Sequence, residues 1–312
     1  MKNSRLISTR SNRVLAEKVA LRLDMELTEV EIKDFADSEI YVEIKENIRR
    51  DEIFLLAGFS TKSNKNTDIM ELMLLIDAVR RSSPSKINVL FPYFPYARQD
   101  RRTNRSPISG KVFANMLCNS GIDSVVCMDL HSLQTQGFFS NNIVCEHMSA
   151  LKTLRNTISN LNEIDVIVSS DIGGTSRARY FASLLNLPIA IIDKRRPEPG
   201  VSKVMNVIGT VRGKHCMLVD DMVDGGGTLV GAAEALIASG AKSVDGLCIH
   251  GLFSGQALKL IKASPIREMY ISDSVEQIKE LPDKITVISL ADLLSEAIRR
   301  FCNGESLKAL VS

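Results

Sequence analysis

Short apolar runs and amphipathic stretches alternate along the chain. The runs at 53–57, 87–91, 124–128, 166–169, 189–192, 216–219 and 243–249 are four to seven residues long and nearly all apolar. That length and continuity predict strands buried on both faces. Between them, 68–81, 111–119, 176–186 and 228–239 carry apolar residues at helical spacing, and 290–301 is a last such stretch before a short polar tail. Strand–helix alternation with short connections predicts parallel sheets flanked by helices, an α/β architecture. Gly121 and Gly240 each follow a helical stretch, where a left-handed cap favours glycine. The strands are too many for one compact sheet. The chain therefore divides near 145–150, after the polar stretch 134–142. The halves share one rhythm, which predicts two similar domains, 1–147 and 148–288, with a helix at about 290–304 available to pack back onto the first.

Composition narrows the class. A chain of 312 residues is long enough for about two domains, and 45% hydrophobic with 24% charged residues is ordinary for a packed core. Lys and Arg total 39 against 37 Asp and Glu, a net charge of +2, which argues against a nucleic-acid sheath. No apolar run approaches the roughly 18–20 residues that cross a bilayer. The first residues, MKNSRLISTRSNRV, lack the apolar centre of a secretory signal, so a cytoplasmic location is expected. Six cysteines (118, 127, 145, 216, 248, 302) are scattered without a CxxC pair, and read as small core residues in a reducing compartment.

The segment richest in chemistry is HCMLVDDMVDGGGT, residues 215–228. An apolar strand ends in Asp220 and Asp221, a glycine-rich turn follows, and Thr228 opens a helix. Glycines let backbone N–H groups approach a phosphate, and the helix N-terminus adds partial positive charge. The two acids would accept sugar hydroxyls, so a sugar phosphate is the natural ligand; a plain turn with capping acids is the bland alternative. Two other strand ends repeat the logic. VIVSSDIGGTSRAR (166–179) places Asp171 before Gly173 and Gly174, with Arg177 and Arg179 in the helix, and VVCMDLHSLQTQGFF (125–139) places Asp129 and His131 past a strand. A lone histidine is more often structural than a ligand. A carboxylate, an imidazole, waters and substrate phosphates nevertheless suit Mg²⁺, which rarely receives an all-protein cage.

Two basic loops remain, YFPYARQDRRTNRSPISGK (93–111) and IDKRRPEPG (192–200). Solvated charge explains most such runs. The functional reading makes them phosphate clamps, with Arg98 on a nucleotide and Lys194 and Arg196 closing over a transferring phosphoryl group. Neither a GxxxxGK[ST] loop nor the HRD and DFG set of protein kinases occurs.

Taken together these segments resemble the ribose-phosphate diphosphokinase family, the synthases of phosphoribosyl pyrophosphate (PRPP). The likeness runs nearly end to end: ENIRR (46–50), MELMLLIDAVRR (70–81), YFPYARQDRR (93–102), DLHSLQTQGFF (129–139), DKRRP (193–197), VDDMVD (219–224), HGLFSG (250–255), EAIRR (296–300) and NGES (303–306). It implies two domains of the type I phosphoribosyltransferase fold, an ATP-side domain first and a ribose 5-phosphate-binding domain second. The implied reaction moves the diphosphoryl group of ATP to the 1-hydroxyl of ribose 5-phosphate, with Mg²⁺ as cofactor, giving PRPP and AMP. The implied assembly is a homohexamer built from dimers, with no nucleic-acid or membrane partner.

Residue by residue, the resemblance places Phe35, Asp37, Ser38, Glu39, Arg98 and Gln99 around ATP, part of that site coming from a neighbouring subunit. It places Asp220 and Asp221 on the ribose hydroxyls, and Asp224, Gly225, Gly226, Gly227 and Thr228 on the 5-phosphate. His131 and Asp171 fall at magnesium-associated positions, Lys194 and Arg196 on a loop that meets the transition state, Arg196 also touching ribose 5-phosphate. Arg49, Arg81, Ser82 and Ser306 match a regulatory site for phosphate and ADP. Four departures stand out: Gly225 where the family usually has Thr or Ser, Ser170 and Ile172 within its SPDAGG, Arg50 for the glycine of NVRG, and Gly110 for the alanine of PISAK. None removes a charged catalytic position. Two rival readings are a phosphoribosyltransferase that consumes PRPP, which leaves the basic loops without work, and a weakly active or silent regulatory paralogue, toward which Gly225 points.

Overall fold

The computed structural model describes residues 3–195, 204–277 and 280–311. The chain forms two compact units. One comprises Met1–Ala150, Ser274–Ile278 and Ser289–Ser312, the other Leu151–Asp273 and Lys279–Ile288.

The first unit runs β1 (Ser4–Ser8), α1 (Arg13–Leu23), β2 (Val30–Asp34), β3 (Ile40–Ile44), β4 (Glu52–Leu56), α2 (Lys65–Arg81), β5 (Lys86–Phe91), α3 (Ser109–Asn119), β6 (Ser124–Met128) and β7 (Val144–Met148). Its five-stranded sheet has the order β1-β4-β5-β6-β7 with every pair parallel. The interiors of β4, β5 and β6 are buried, as strands covered on both faces must be. Helix α2 turns Ile69, Leu72, Leu75, Ile76 and Val79 inward, and starts where the Asn64 side chain accepts the Asn66 N–H at 2.9 Å. The unit closes with a helix from the far end of the sequence, α8 below.

The second unit runs α4 (Leu151–Thr157), β8 (Val166–Ser169), α5 (Thr175–Leu185), β9 (Ile189–Arg195), β10 (Val204–Ile208), β11 (His215–Val223), α6 (Gly227–Ala238), β12 (Ser243–Gly251), α7 (Ala257–Ala263), β13 (Ile266–Ser272) and β14 (Ile285–Ile288). Its sheet has the order β10-β9-β8-β11-β12-β13-β14, parallel except for β10 at the edge. Val168, Leu218, Leu229, Ala232, Leu236, Val244 and Ile271 belong to one core between this sheet and its helices. The end of α6 shows the capping that the glycine predicted. Gly240 has φ +89°, its N–H reaches the Ile237 carbonyl at 2.9 Å, and Ala241 N–H reaches Leu236 at 3.0 Å. Gly121, after α3, has φ +84°.

Helix α8 (Ala291–Asn303) belongs to the first unit and packs on α1. Leu294, Ala297 and Ile298 are buried, Arg22 pairs with Asp292, and Arg299 donates to the Arg22 carbonyl.

Three features depart from the sequence reading. The segment at 192–195, expected as irregular loop, continues β9, because β10 pairs with it antiparallel and places Lys194 opposite Met205. The hairpin β2–β3 and the strands β1, β7, β13 and β14 carry no continuous apolar run, being short, half-exposed or interrupted by charge. All six cysteines are free thiols, but only Cys127, Cys216 and Cys248 are core residues; Cys118, Cys145 and Cys302 are half-buried.

Candidate active site

In the second sheet the chain leaves β8 through α5 to reach β9 on one side, whereas β11 lies on the other side of β8. The strand order thus reverses between β8 and β11, and the carboxyl ends of strands flanking such a reversal form a natural ligand crevice. The parallel register pairs Ser169 with Val219, so Ser170 and Asp220 are the next residues along the two strands.

Ser170 is fully buried, and its hydroxyl donates to Asp220 Oδ2. The Asp221 backbone N–H donates to Asp220 Oδ1 at 2.8 Å. Arg177, in the first turn of α5, places its guanidinium 3.6 Å from Asp221 Oδ1 and 4.0 Å from Asp220 Oδ1. One cation thus faces two adjacent acids, of which Asp221 is only 3% exposed. Burial, reinforced by the charge of Asp221, pushes the Asp220 carboxyl up to about 7. Arg177 was visible in the sequence but received no role, since only the fold shows that the first turn of α5 faces the end of β11.

The 224–228 loop is anchored by its backbone. The Val223 carbonyl accepts from Leu252 and Phe253 at 2.8 and 3.2 Å, and the Asp224 carbonyl accepts from Ser254 at 3.0 Å. Gly226, the N-cap of α6, has φ +78°, and a Cβ there would lie 3.3 Å from the Ala257 backbone, so glycine is demanded twice over. With no capping side chain at Gly226, the first N–H groups of α6 have no side-chain partner there, beside exposed Gly225, Gly227 and Thr228. Gly225 differs: its φ lies outside the left-handed region, and a Cβ there would meet nothing within 4 Å.

Asp171 braces the entry to α5, its Oδ1 accepting the Gly174 N–H at 2.8 Å and its carbonyl the Ser169 hydroxyl at 2.7 Å. Asp129 is a brace of another kind: one oxygen accepts from Ser149 Oγ at 2.9 Å and the other from the Ala150 N–H at 2.6 Å, holding the turn at the end of the first unit. His131 is exposed in that unit, and Asp171 lies in the second. Among the described residues no three His, Cys, Asp or Glu side chains gather as a metal cage.

The other expected nucleotide residues are all in the first unit. Phe35, Asp37, Ser38 and Glu39 form the tip of the β2–β3 hairpin. Phe35 N–H reaches the Glu39 carbonyl at 2.8 Å, Asp37 Oδ1 accepts the Glu39 N–H at 3.1 Å, and Ser38 is left-handed at φ +73°. The Phe35 ring is 51% exposed, with Tyr41 edge-on at 6.0 Å between ring centroids. The hairpin base is pinned by Arg10, which grips Asp34 with both terminal nitrogens at 2.8 and 2.9 Å and buried Glu71 through Nε at 2.6 Å. Arg98 and Gln99 are exposed on the loop before α3, where Gln99 Oε1 accepts from Ser109 Oγ at 2.5 Å. Lys194 has its backbone on β9, one strand beyond β8. Arg196 lies outside the described residues.

Of the expected regulatory residues, Arg49 and Ser82 flank two turns that meet through the Arg50 N–H and the Ser83 carbonyl at 2.9 Å. Arg81 is exposed and pairs with Asp77 at 2.6 Å. Ser306 lines a cavity of about 540 Å³ with Glu146, His147, Arg300 and Lys308, a lining without Arg49, Arg81 or Ser82.

A parallel α/β sheet whose reversal point places paired acids beside a glycine-cornered helix N-terminus defines an α/β protein with a candidate ligand crevice at its strand ends. The chain belongs, more narrowly, to the ribose-phosphate pyrophosphokinase family of enzymes. The profile of the N-terminal domain of ribose phosphate pyrophosphokinase matches residues 4–121, and that of the phosphoribosyl synthetase-associated domain matches 196–312. The ribose-phosphate pyrophosphokinase of Mesorhizobium japonicum is 46% identical over 312 residues, covering 98% of this chain and 99% of that one. That of Rhizobium meliloti is 46% identical over 305 residues, covering 96% and 97%. The crystal structure of phosphoribosylpyrophosphate synthetase from Mycobacterium smegmatis superposes with a TM-score of 0.90 at 36% identity, covering 97% of this chain and 100% of that one.

Proposed function

We propose that this enzyme transfers the diphosphoryl group of ATP to the 1-hydroxyl of ribose 5-phosphate, forming PRPP and AMP for nucleotide biosynthesis in the cytoplasm. The observation that carries the reading is the end of β11. Asp220 and Asp221 offer acceptors for adjacent sugar hydroxyls beside the uncapped start of α6, where a monophosphate finds backbone donors and the positive end of the helix. Full-length relatives named for the same reaction support it.

In this reading Gly225, Gly226, Gly227 and Thr228 hold the 5-phosphate, with Asp224 at the loop's base. Phe35 stacks on the base of ATP, Asp37, Ser38 and Glu39 meet its polar edge, and Arg98 and Gln99 meet its phosphates. Phe35 leaves half its ring open to a nucleotide base, and the enzyme is read as a homohexamer built from dimers. Lys194 and Arg196 stabilise the charge that moves between oxygens in the transition state. His131 and Asp171 are each proposed as a magnesium-associated residue, an imidazole and a carboxylate of the kind a hard cation takes beside waters and phosphate oxygens. Bound there, Mg²⁺ would neutralise polyphosphate charge. Arg49, Arg81, Ser82 and Ser306 are proposed to answer phosphate and ADP.

Mixing the protein with Mg²⁺, ATP and ribose 5-phosphate should release AMP and PRPP in equal amounts, and AMP release should stop without the sugar. ADP as product, or AMP formed independently of the sugar, refutes the proposal. Intact ribose 5-phosphate binding without turnover would favour the silent paralogue. Lys194→Ala should lower kcat by roughly 100-fold or more while changing KM little, as expected for a contact made chiefly in the transition state.

A further inference from the structure

The Asp220 carboxylate is steered from the neighbouring strand end. We infer that Ser170 is a positioning residue for the sugar: its hydroxyl, donating to Asp220 Oδ2, holds that carboxylate in the pose that accepts ribose hydroxyls. The inference rests on reading the end of β11 as the ribose 5-phosphate site, and deepens it.

Asp220 sits in a crowded electrostatic setting. Asp221 is its chain neighbour, and the Arg177 guanidinium is 3.6 Å from Asp221 Oδ1 but 4.0 Å from Asp220 Oδ1, favouring the other acid. The Asp221 N–H fixes Oδ1 at 2.8 Å. A carboxylate held through one oxygen still rotates about its Cβ–Cγ bond. The Ser170 hydroxyl reaches Oδ2, so it supplies a second point that defines the carboxylate plane. Ser170 is fully buried, and the β8–β11 register holds it beside Asp220 without a loop between them. A hydroxyl donor occupies one lone-pair direction of Oδ2 and leaves the other directed at incoming hydroxyls. Replacing it by a methyl group leaves Oδ2 without that donor beside a second acid, an environment in which the carboxylate turns away or keeps its proton to higher pH than in wild type. Either result removes an acceptor from the sugar and leaves the phosphate loop untouched, since that loop is anchored to 252–254 and not to Ser170.

The test compares two probes on wild-type, Ser170→Ala and Ser170→Cys proteins by titration calorimetry: ribose 5-phosphate, which needs both acids and loop, and inorganic phosphate, which needs the loop alone. Ser170→Ala should weaken ribose 5-phosphate by about tenfold, the loss of one hydrogen bond to a charged group. Ser170→Cys, nearly the same shape with a weak S–H donor, should fall between Ala and wild type. Phosphate affinity should stay within about twofold in both. In turnover, KM for ribose 5-phosphate should follow the binding loss while kcat and KM for ATP hold. Unchanged sugar affinity in Ser170→Ala, or parallel loss of both probes, overturns the inference. If Ser170→Ala does not fold, Ser170→Cys carries the comparison, and its sugar affinity equal to wild type overturns the inference. Wild-type protein that binds phosphate but not ribose 5-phosphate instead refutes the reading of the site itself, which keeps the two failures apart.

Discussion

Gly225 shows what a single side chain contributes to a phosphate loop. Gly226, next to it, is held to glycine by φ +78° and by Ala257, whereas Gly225 has neither constraint and open space where a Cβ would stand. Gly225→Thr should therefore fold unchanged and add a hydroxyl donor at the phosphate. A bond of that kind to a charged acceptor is worth roughly 1.5–3 kcal/mol, so KM for ribose 5-phosphate should fall about tenfold or more. Steady-state kinetics of the variant decides it, and an unchanged KM rules out a hydroxyl contact. Asp220 carries a second residue-scale consequence. Burial and the neighbouring charge of Asp221 hold its native carboxyl well above the ordinary value of about 3.9, so the folded chain keeps a proton that the unfolded chain releases. Stability from this group is full below the ordinary carboxylate value of about 3.9 and is lost as pH rises through the raised native value. Thermal unfolding of ligand-free wild type should lose ground to Asp220→Asn between pH 5 and pH 8. A constant gap between the two across that range would contradict the shift. The acids, glycines and basic residues of these loops were legible in the sequence because chemistry is local to residue type. Arg177 and Ser170 were not, because their roles depend on which strand end faces which.

At the scale of elements, local backbone geometry separates necessity from tolerance. Arg50 stands at φ +65° in the turn between the hairpin and β4, its N–H bonded to the Ser83 carbonyl at 2.9 Å. A left-handed non-glycine residue is strained by about 1–3 kcal/mol, and glycine's extra chain entropy returns roughly 0.5–1 kcal/mol of the gain. Arg50→Gly should therefore stabilise the first unit by about 1 kcal/mol, read as a rise of roughly 2–4 °C in its melting transition. A lower melting temperature would show that the Arg50 side chain contributes more than the strain costs. The buried parallel strands and α2, α3, α5, α6 and α8 were readable because continuous apolar runs and helical spacing are strong signals. The β2–β3 hairpin carried a period-two signal, VEIKD and IYVEI, that went unused because both faces are partly exposed. The extension of β9 depended on a partner, β10, that periodicity in 192–200 cannot reveal.

For the whole molecule, the notable fact is that the first unit is completed by α8, a helix from the far end of the sequence. Helix α8 packs on α1 with its apolar residues buried, so the first unit is unfinished until residues 291–303 have been made. Leu294 is fully buried in that helix. Leu294→Ala should cost about 2–5 kcal/mol through lost burial and a residual cavity. Hydrogen exchange locates the effect: amides of α1 and β1 should exchange faster, while those of β11 and β12 keep wild-type protection. Equal acceleration in both sheets would mean that the units unfold as one. The described residues contain no helix long and apolar enough to cross a membrane.

Residue types and their periodicity alone determined the α/β class, the buried strands, the capping glycines and the acid-and-glycine loop, because each depends on neighbours within a few positions. The tertiary structure decided the rest: the strand order that reverses between β8 and β11, the register that sets Ser170 against Asp220, the cation of Arg177 before the acid pair, the tying of Asp129 to a turn, and the return of α8 to the first unit. These depend on pairings between segments tens to hundreds of residues apart, and no local pattern encodes which strand will be the neighbour of which.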